Sequence, residues 1–176
     1  EPIETLCLTI GGVQGIGGII DTSGVPSIST VEPFAPGIGD NNVNEGTDLV
    51  FNVGINGTST AAVTYTLALA GITATDGVDF TAVLNAASFS NGVTYNAGTG
   101  LVTVPAGVTA FAVTVPTLTD SINGEPIETL CLTIGGVQGI GGIIDTSGVP
   151  TLSVNDVSVD EAAGIATFTV TLSAPS

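Results

Sequence analysis

Residues 1–26 and residues 125–150 carry the same sequence, EPIETLCLTIGGVQGIGGIIDTSGVP. The offset is 125 − 1 = 124 residues. A period of that length is a whole domain, because solenoid and propeller units repeat at about 20–50 residues. The copy therefore predicts three parts. Residues 1–26 read as the C-terminal part of a preceding repeat, 27–150 as a complete repeat, and 151–176 as the N-terminal part of the following one. Glu1 already lies inside a β-like pattern, so the chain is expected to be a piece of a longer tandem array.

The last part supports this phasing. The run Ala166 to Leu172 alternates apolar and polar residues, as does Leu49 to Ile55. Phe168, Val170 and Leu172 match Phe51, Val53 and Ile55. Alternation at period two is the mark of a half-buried strand. It recurs along the chain, with Thr and Val abundant and with 25 Gly and 9 Pro between the runs. Strands are expected near 27–31, 48–55, 62–69, 78–84, 101–104, 110–118, 128–134 and 140–145. Seven or eight short strands in one repeat predict an all-β fold, an immunoglobulin-like Greek-key sandwich arranged in head-to-tail tandem repeats.

Charge narrows the function. The chain has 16 Asp plus Glu and no Lys, Arg or His, a formal charge of −16. Phosphate neutralisation needs Lys or Arg, so no nucleic-acid partner is expected. Anionic lipid is disfavoured for the same reason. No apolar run is long enough for a spanning helix, so no membrane insertion is expected. Acid chemistry of the glycosidase kind would want aromatic sugar platforms, yet Trp is absent and Tyr numbers 2. A triad lacks its His and a Schiff base lacks its Lys. The chain reads as a non-enzyme. Cys7 and Cys131 stand at equivalent places in the repeat. Alternation puts Cys131 on the strand face opposite Leu130, Leu132 and Ile134. It reads as a small strand residue, with cross-linking between chains as the sharper alternative.

The acids are placed unevenly. Strands that reverse at every turn bring Asp40, Glu45, Asp48, Asp76, Asp79, Asp120, Glu125, Glu128 and Asp145 toward one pole, and leave the Asn56-Gly57-Thr58 turn at the other. Two carboxylates about 4 Å apart repel by about 4 kcal/mol at an effective dielectric near 20. No side-chain cation is present to offset this. A hard divalent ion with six to eight oxygen ligands removes the repulsion, which points to Ca2+. Mg2+ prefers to keep its waters. Zinc is disfavoured without His. The candidate ligands are Glu45, Asp76, Asp79, Asp120, Glu125, Glu128 and Asp145. The tail 1–26 keeps Glu1, Glu4 and Asp21 but lacks counterparts of Glu45 and Asp79, so it is expected to bind calcium poorly.

Several phrases resemble the Calx-beta module. These are Asn44-Glu45-Gly46 before a strand, Thr75-Asp76-Gly77-Val78-Asp79-Phe80 in a loop, and Val104-Pro105-Ala106-Gly107 at a turn. Asp120, Glu125 and Glu128 before Thr129-Leu130-Cys131-Leu132-Thr133-Ile134, and the closing Gly142-Ile143-Ile144-Asp145, complete the pattern. Phe89-Ser90-Asn91-Gly92-Val93-Thr94 and the lack of basic residues resemble repeats of giant bacterial RTX (type I-secreted) surface adhesins. The resemblance implies an immunoglobulin-like sandwich with calcium at one pole, held by Glu45, Asp79, the group Asp120, Glu125 and Glu128, and Asp145. It departs after the last strand, where Asp145 stands alone instead of paired. It implies a calcium-stiffened extender on a bacterial cell surface, with neighbouring repeats of the same chain as partners and a distal adhesive tip for attachment or biofilm formation. A filament or surface-layer subunit built by strand exchange, and a ligand-binding adhesive domain, are the alternatives.

Overall fold

The structure is a computed structural model that describes residues 4–19, 25–34, 41–122, 124–148 and 150–173. In chain order the strands are β1 (Glu4–Ile10), β2 (Val13–Ile19), β3 (Ser27–Phe34), β4 (Asn42–Asn44), β5 (Leu49–Asn56), β6 (Val63–Gly71), β7 (Thr94–Asn96), β8 (Leu101–Val104), β9 (Ala110–Val115), β10 (Glu128–Ile134), β11 (Val137–Ile144), β12 (Leu152–Val154) and β13 (Val170–Leu172). Two single turns of 3-10 helix lie at Ala86–Ser88 and Glu161–Ala163.

Two sheets face each other as an immunoglobulin-like Greek-key sandwich. One has the order β3-β5-β9, the other β4-β11-β10-β6-β8-β7. Alternation decides which side chains enter the space between them. Leu49, Phe51, Val53 and Ile55 of β5 are buried, as are Phe111, Val113 and Val115 of β9. Leu130, Leu132 and Ile134 of β10 and Val102 and Val104 of β8 meet them from the second sheet. On β3 the buried residues Ile28 and Val31 are three apart, which strict alternation forbids. A bulge between Ile28 and Thr30 absorbs the extra residue and returns Val31 to the core. The chain then changes sheets: β3 is antiparallel to β5, whereas β4 runs parallel to β11.

Glycines set how closely the sheets approach. A Cβ at Gly139 of β11 would land on the Val31 carbonyl, and one at Gly141 would strike the Leu49 side chain. The missing side chains let β11 lie directly on β3 and β5.

Most expected strands are present, with two differences. The expected strand over 78–84 does not form. Gly77, with φ of 81°, turns the chain within Thr75 to Phe80. The Thr75 and Ala82 N–H groups donate to the carboxylates of Asp79 and Asp76 at 2.6 and 2.8 Å. Side-chain acceptors there take the donors a ladder would need. Among the described residues, an isolated bridge from Phe80 to Thr117 joins this segment to the chain just after β9. The short strands β4 and β7, at three residues each, carry too little pattern to be read from sequence.

The two copies of the repeated sequence form the same hairpin. Glu4↔Ile19 through Ile10↔Val13 repeats Glu128↔Ile143 through Ile134↔Val137 pair for pair. Cys131 is buried, Cys7 is exposed, and neither is in a disulfide. These matched hairpins give a control for the role of glycine. Gly139→Ala should destabilise the protein by about 1–3 kcal/mol through overpacking. Gly15→Ala, its counterpart in the first copy, meets only the Leu8 carbonyl at 3.9 Å and should leave the melting temperature unchanged. Paired thermal melts check this, and equal losses in both variants would refute it.

Candidate metal centre at the acidic pole

Four chain segments meet where the strands end. The first is the turn from β4 to β5. Here the Glu45 N–H donates to the Ile144 carbonyl at 3.0 Å and Gly46 takes a φ of 71°. The second is the exit of β6, where the Thr129 carbonyl accepts from the N–H groups of Ile72, Thr73 and Ala74 at 2.8, 3.1 and 3.0 Å. That anchor holds the 75–80 turn against the start of β10, so Asp79 is buried close to Glu128. The third is the exit of β9. Thr117 Oγ1 donates to the Thr47 carbonyl at 2.8 Å, and the Leu118 N–H donates to the Asp79 carbonyl at 2.8 Å. The chain thus reaches Asp120 tied to both neighbouring turns. The fourth is the end of β11 with Asp145.

Five carboxylates converge in two groups that share one member. Glu45, Asp120 and Glu125 each bring a carboxylate oxygen within 4.8 Å of the others, and Asp79, Glu125 and Glu128 do the same. Asp120 Oδ1 accepts the Ile122 N–H at 2.7 Å, while Oδ2 is buried with no hydrogen-bond partner among the described residues. A buried carboxylate oxygen without a donor is costly and calls for a counter-charge.

The other expected ligands sit differently. Asp145 Oδ2 accepts the N–H groups of Gly124 and Glu125 at 2.6 and 3.1 Å, and Oδ1 accepts that of Ser147 at 2.6 Å. Its carboxylate pins the loop that carries Glu125. Asp76 closes the 76–82 turn through its contact with the Ala82 N–H and lies outside both groups. Asp48 is exposed, also outside them. Asp40, Glu1 and Asp21 lie outside the described residues. Ser147, unremarked in the sequence, ties the outgoing chain to the pole, with its Oγ 3.3 Å from the Asp120 carbonyl it donates to. The Asp145-Thr146-Ser147 spacing, an Asx turn, was the readable signal for it.

The protonation states follow from crowding. Burial raises the Glu45 carboxyl, and the charges of Asp120, Asp145 and Glu125 raise it further against the Thr146 N–H. Burial also raises Glu125, followed by Asp120, Asp79 and Asp145. Glu128 is pushed up to about 7, first by burial, then by a hydrogen bond to Asp79 and that residue's charge, then by Glu125 and Asp120. Asp145 goes the other way, lowered by the Ser147 N–H first and by those of Glu125 and Gly124, against the opposing effect of burial.

No family model matches the chain, and no curated protein matches it. Solved structures similar in shape include two Calx structures. One is the crystal structure of CBD12 from CALX1.2, with 15% identity and a TM-score of 0.49 over 74% of this chain. This chain covers 49% of that one, about half its length. The other is the apo-form Calx CBD1 domain, with 17% identity and a TM-score of 0.46 over 68% of this chain and 100% of that one. The chemistry of the pole rests on the carboxylates themselves.

The raised carboxyls set the sign of the pH dependence in metal-free protein. A group with a raised folded pKa binds more protons folded than unfolded, so it stabilises at low pH and the gain is lost as pH rises. For Glu128 that window runs from its ordinary 4.5 up to about 7. Asp145, with a lowered value, stabilises above its ordinary 3.8 and loses that contribution as pH falls further. Denaturant melts in chelator should show stability falling from about pH 5 to about pH 8, and Glu128→Gln should flatten the fall. A rise over that range would contradict the crowding.

Proposed function

We propose that the acidic pole binds Ca2+ and that the chain serves as a non-enzymatic extender of a large cell-surface adhesin. The observation that carries the calcium reading is the pair of carboxylate groups joined at Glu125, in a chain without Lys, Arg or His. Every donor is a hard oxygen, which suits calcium and disfavours thiophilic metals. The orphaned Asp120 Oδ2 supplies a buried acceptor that a cation would satisfy. Glu45, Asp79, Asp120, Glu125 and Glu128 would hold the ion or ions. Bound calcium would supply positive charge and favour the ionised form of Glu128, which crowding raises to about 7. Asp76 and Asp145 would serve by fixing the turns that present these ligands.

The extender reading adds the repeat to this chemistry. The 26-residue copy at an offset of 124 residues favours array use. The outgoing segment begins at Asp145 and is tied back to the pole through Ser147. An ion held by Asp120 and Glu125 would therefore stiffen the first residues of the linker together with the loops. In this reading the neighbouring repeats of the same chain are the partners, and the location is the bacterial cell surface.

Thermal melts in chelator, in millimolar calcium and in magnesium test the reading. A ligand present at a thousand times its dissociation constant adds about 4 kcal/mol to the folded state. A large rise specific to calcium is expected. Glu125→Gln should abolish most of it, since it removes a ligand from both groups. Glu45→Ala and Asp120→Ala should each weaken it. A melting temperature that ignores calcium would leave the pole merely solvated and overturn the proposal.

A further inference from the structure

Asparagine is followed by glycine three times, at Asn56-Gly57, Asn91-Gly92 and Asn123-Gly124. The pair carries a reaction of its own. The glycine nitrogen can attack the side-chain amide of the asparagine before it, and no Cβ stands in the way. In a folded protein the rate depends on whether the two groups are free to meet.

Exposure does not separate the first two pairs, since Asn56, Gly57, Asn91 and Gly92 are all exposed. Hydrogen bonding does. Asn91 Nδ2 donates to the Ala110 carbonyl at 2.7 Å. Its backbone is fixed as well, with φ of 57° at Asn91 and 71° at Gly92. The Val93 N–H closes that turn on the Ser90 carbonyl at 3.2 Å. Here Asn-Gly serves its turn through two positive φ angles. In the third pair the Gly124 N–H donates to Asp145 Oδ2 at 2.6 Å, so the attacking nitrogen is already engaged. Asn123 lies outside the described residues.

Neither restraint acts on the first pair. Asn56 is the last residue of β5, opposite Ser27. Gly57 leaves the ladder with a φ of 89° and opens the loop to β6. Among the described residues, no hydrogen bond ties the Asn56 side chain or the Gly57 N–H. The surroundings are open too: a Cβ on Gly57 would meet only the Pro26 Cα, at 3.8 Å.

We propose that Asn56-Gly57 is a site of spontaneous modification, at which Asn56 is converted to aspartate and isoaspartate. The Gly57 nitrogen gives its proton to solvent and bonds to Asn56 Cγ. The Cγ–Nδ2 bond breaks, and Nδ2 takes a proton from water and leaves as ammonia. Water then opens the five-membered imide at either carbonyl. One opening restores the ordinary backbone, and the other routes it through the side chain. Both add a carboxylate to the pole remote from the acid cluster. The new charge lands beside Pro26, whose carbonyl accepts from Tyr65 Oη at 2.8 Å where the chain enters the sandwich. The reaction runs one way, so its extent measures the age of the folded molecule.

Peptide mass spectrometry of the intact chain tests this, after incubation in mildly alkaline buffer with and without denaturant. Replacement of NH by O is read at each pair. In denaturant all three asparagines should convert at comparable rates, since each precedes glycine. In the folded chain Asn56 should convert first. Asn91 should lag its own rate in denaturant by about tenfold, the worth of the hydrogen bond that must open. Asn56→Gln should remove the first acidic form seen on isoelectric focusing and leave the melting temperature unchanged. A folded chain that keeps Asn56 intact while denaturant lets it convert would overturn the proposal. Conversion of Asn91 or Asn123 ahead of Asn56 in the folded chain would overturn it as well.

Discussion

Carboxylates gathered without any side-chain cation are the constraint on which the acidic pole depends. In most proteins a Lys or Arg would sit among such groups and settle their charge. Here the chain has none, so every device at the pole is a backbone donor, a hydroxyl or a proton. Asp145 spends both oxygens on N–H groups. Burial and the neighbouring Asp79 push Glu128 up to about 7. Asp120 is left with one buried oxygen that no described residue satisfies. Arrangements of this kind are stable only if a further positive charge completes them or if the groups stay partly protonated.

The sandwich creates this problem through its own geometry. Glu45 follows β4, Asp79 follows β6, Asp120 follows β9 and Glu128 opens β10, so strand ends from both sheets deliver acids to one place. The Thr129 carbonyl, with three N–H donors on it, shows how firmly the 72–80 segment is drawn to β10. Rigidity of this sort keeps the carboxylates from relaxing apart. It also means that whatever neutralises them acts on turns, linker and strand ends at once.

The fold was largely readable because alternation and turn glycines agree along β5, β8, β9 and β10. It failed at 78–84, where Val78, Phe80 and Ala82 look like a strand but Asp76 and Asp79 capture the backbone donors first. Side-chain acceptors near a positive-φ glycine outrank apolar alternation over so short a stretch. The site was readable in outline. Reversal of strands is enough to put the acids at one end. It does not distinguish a carboxylate that faces others, such as Glu125, from one that ties its own turn through one oxygen, such as Asp76. That distinction depends on side-chain direction, which the register of loops leaves open.

The repeated sequence also separates intrinsic from acquired structure. The same residues form the same hairpin twice, so turn and register are local properties of this segment. Burial is acquired from the facing sheet. The acids obey the same division: each turn is made locally, and only the assembled pole turns them into a charge problem. Calorimetric titration of calcium into the intact chain, in buffers of different protonation enthalpy at about pH 6 and about pH 8, tests that claim most directly. The account predicts saturable binding at both, with protons released at the lower pH and almost none at the higher, as the proton near Glu128 gives way to the ion. Binding without proton release at the lower pH, or no binding heat at all, would contradict it.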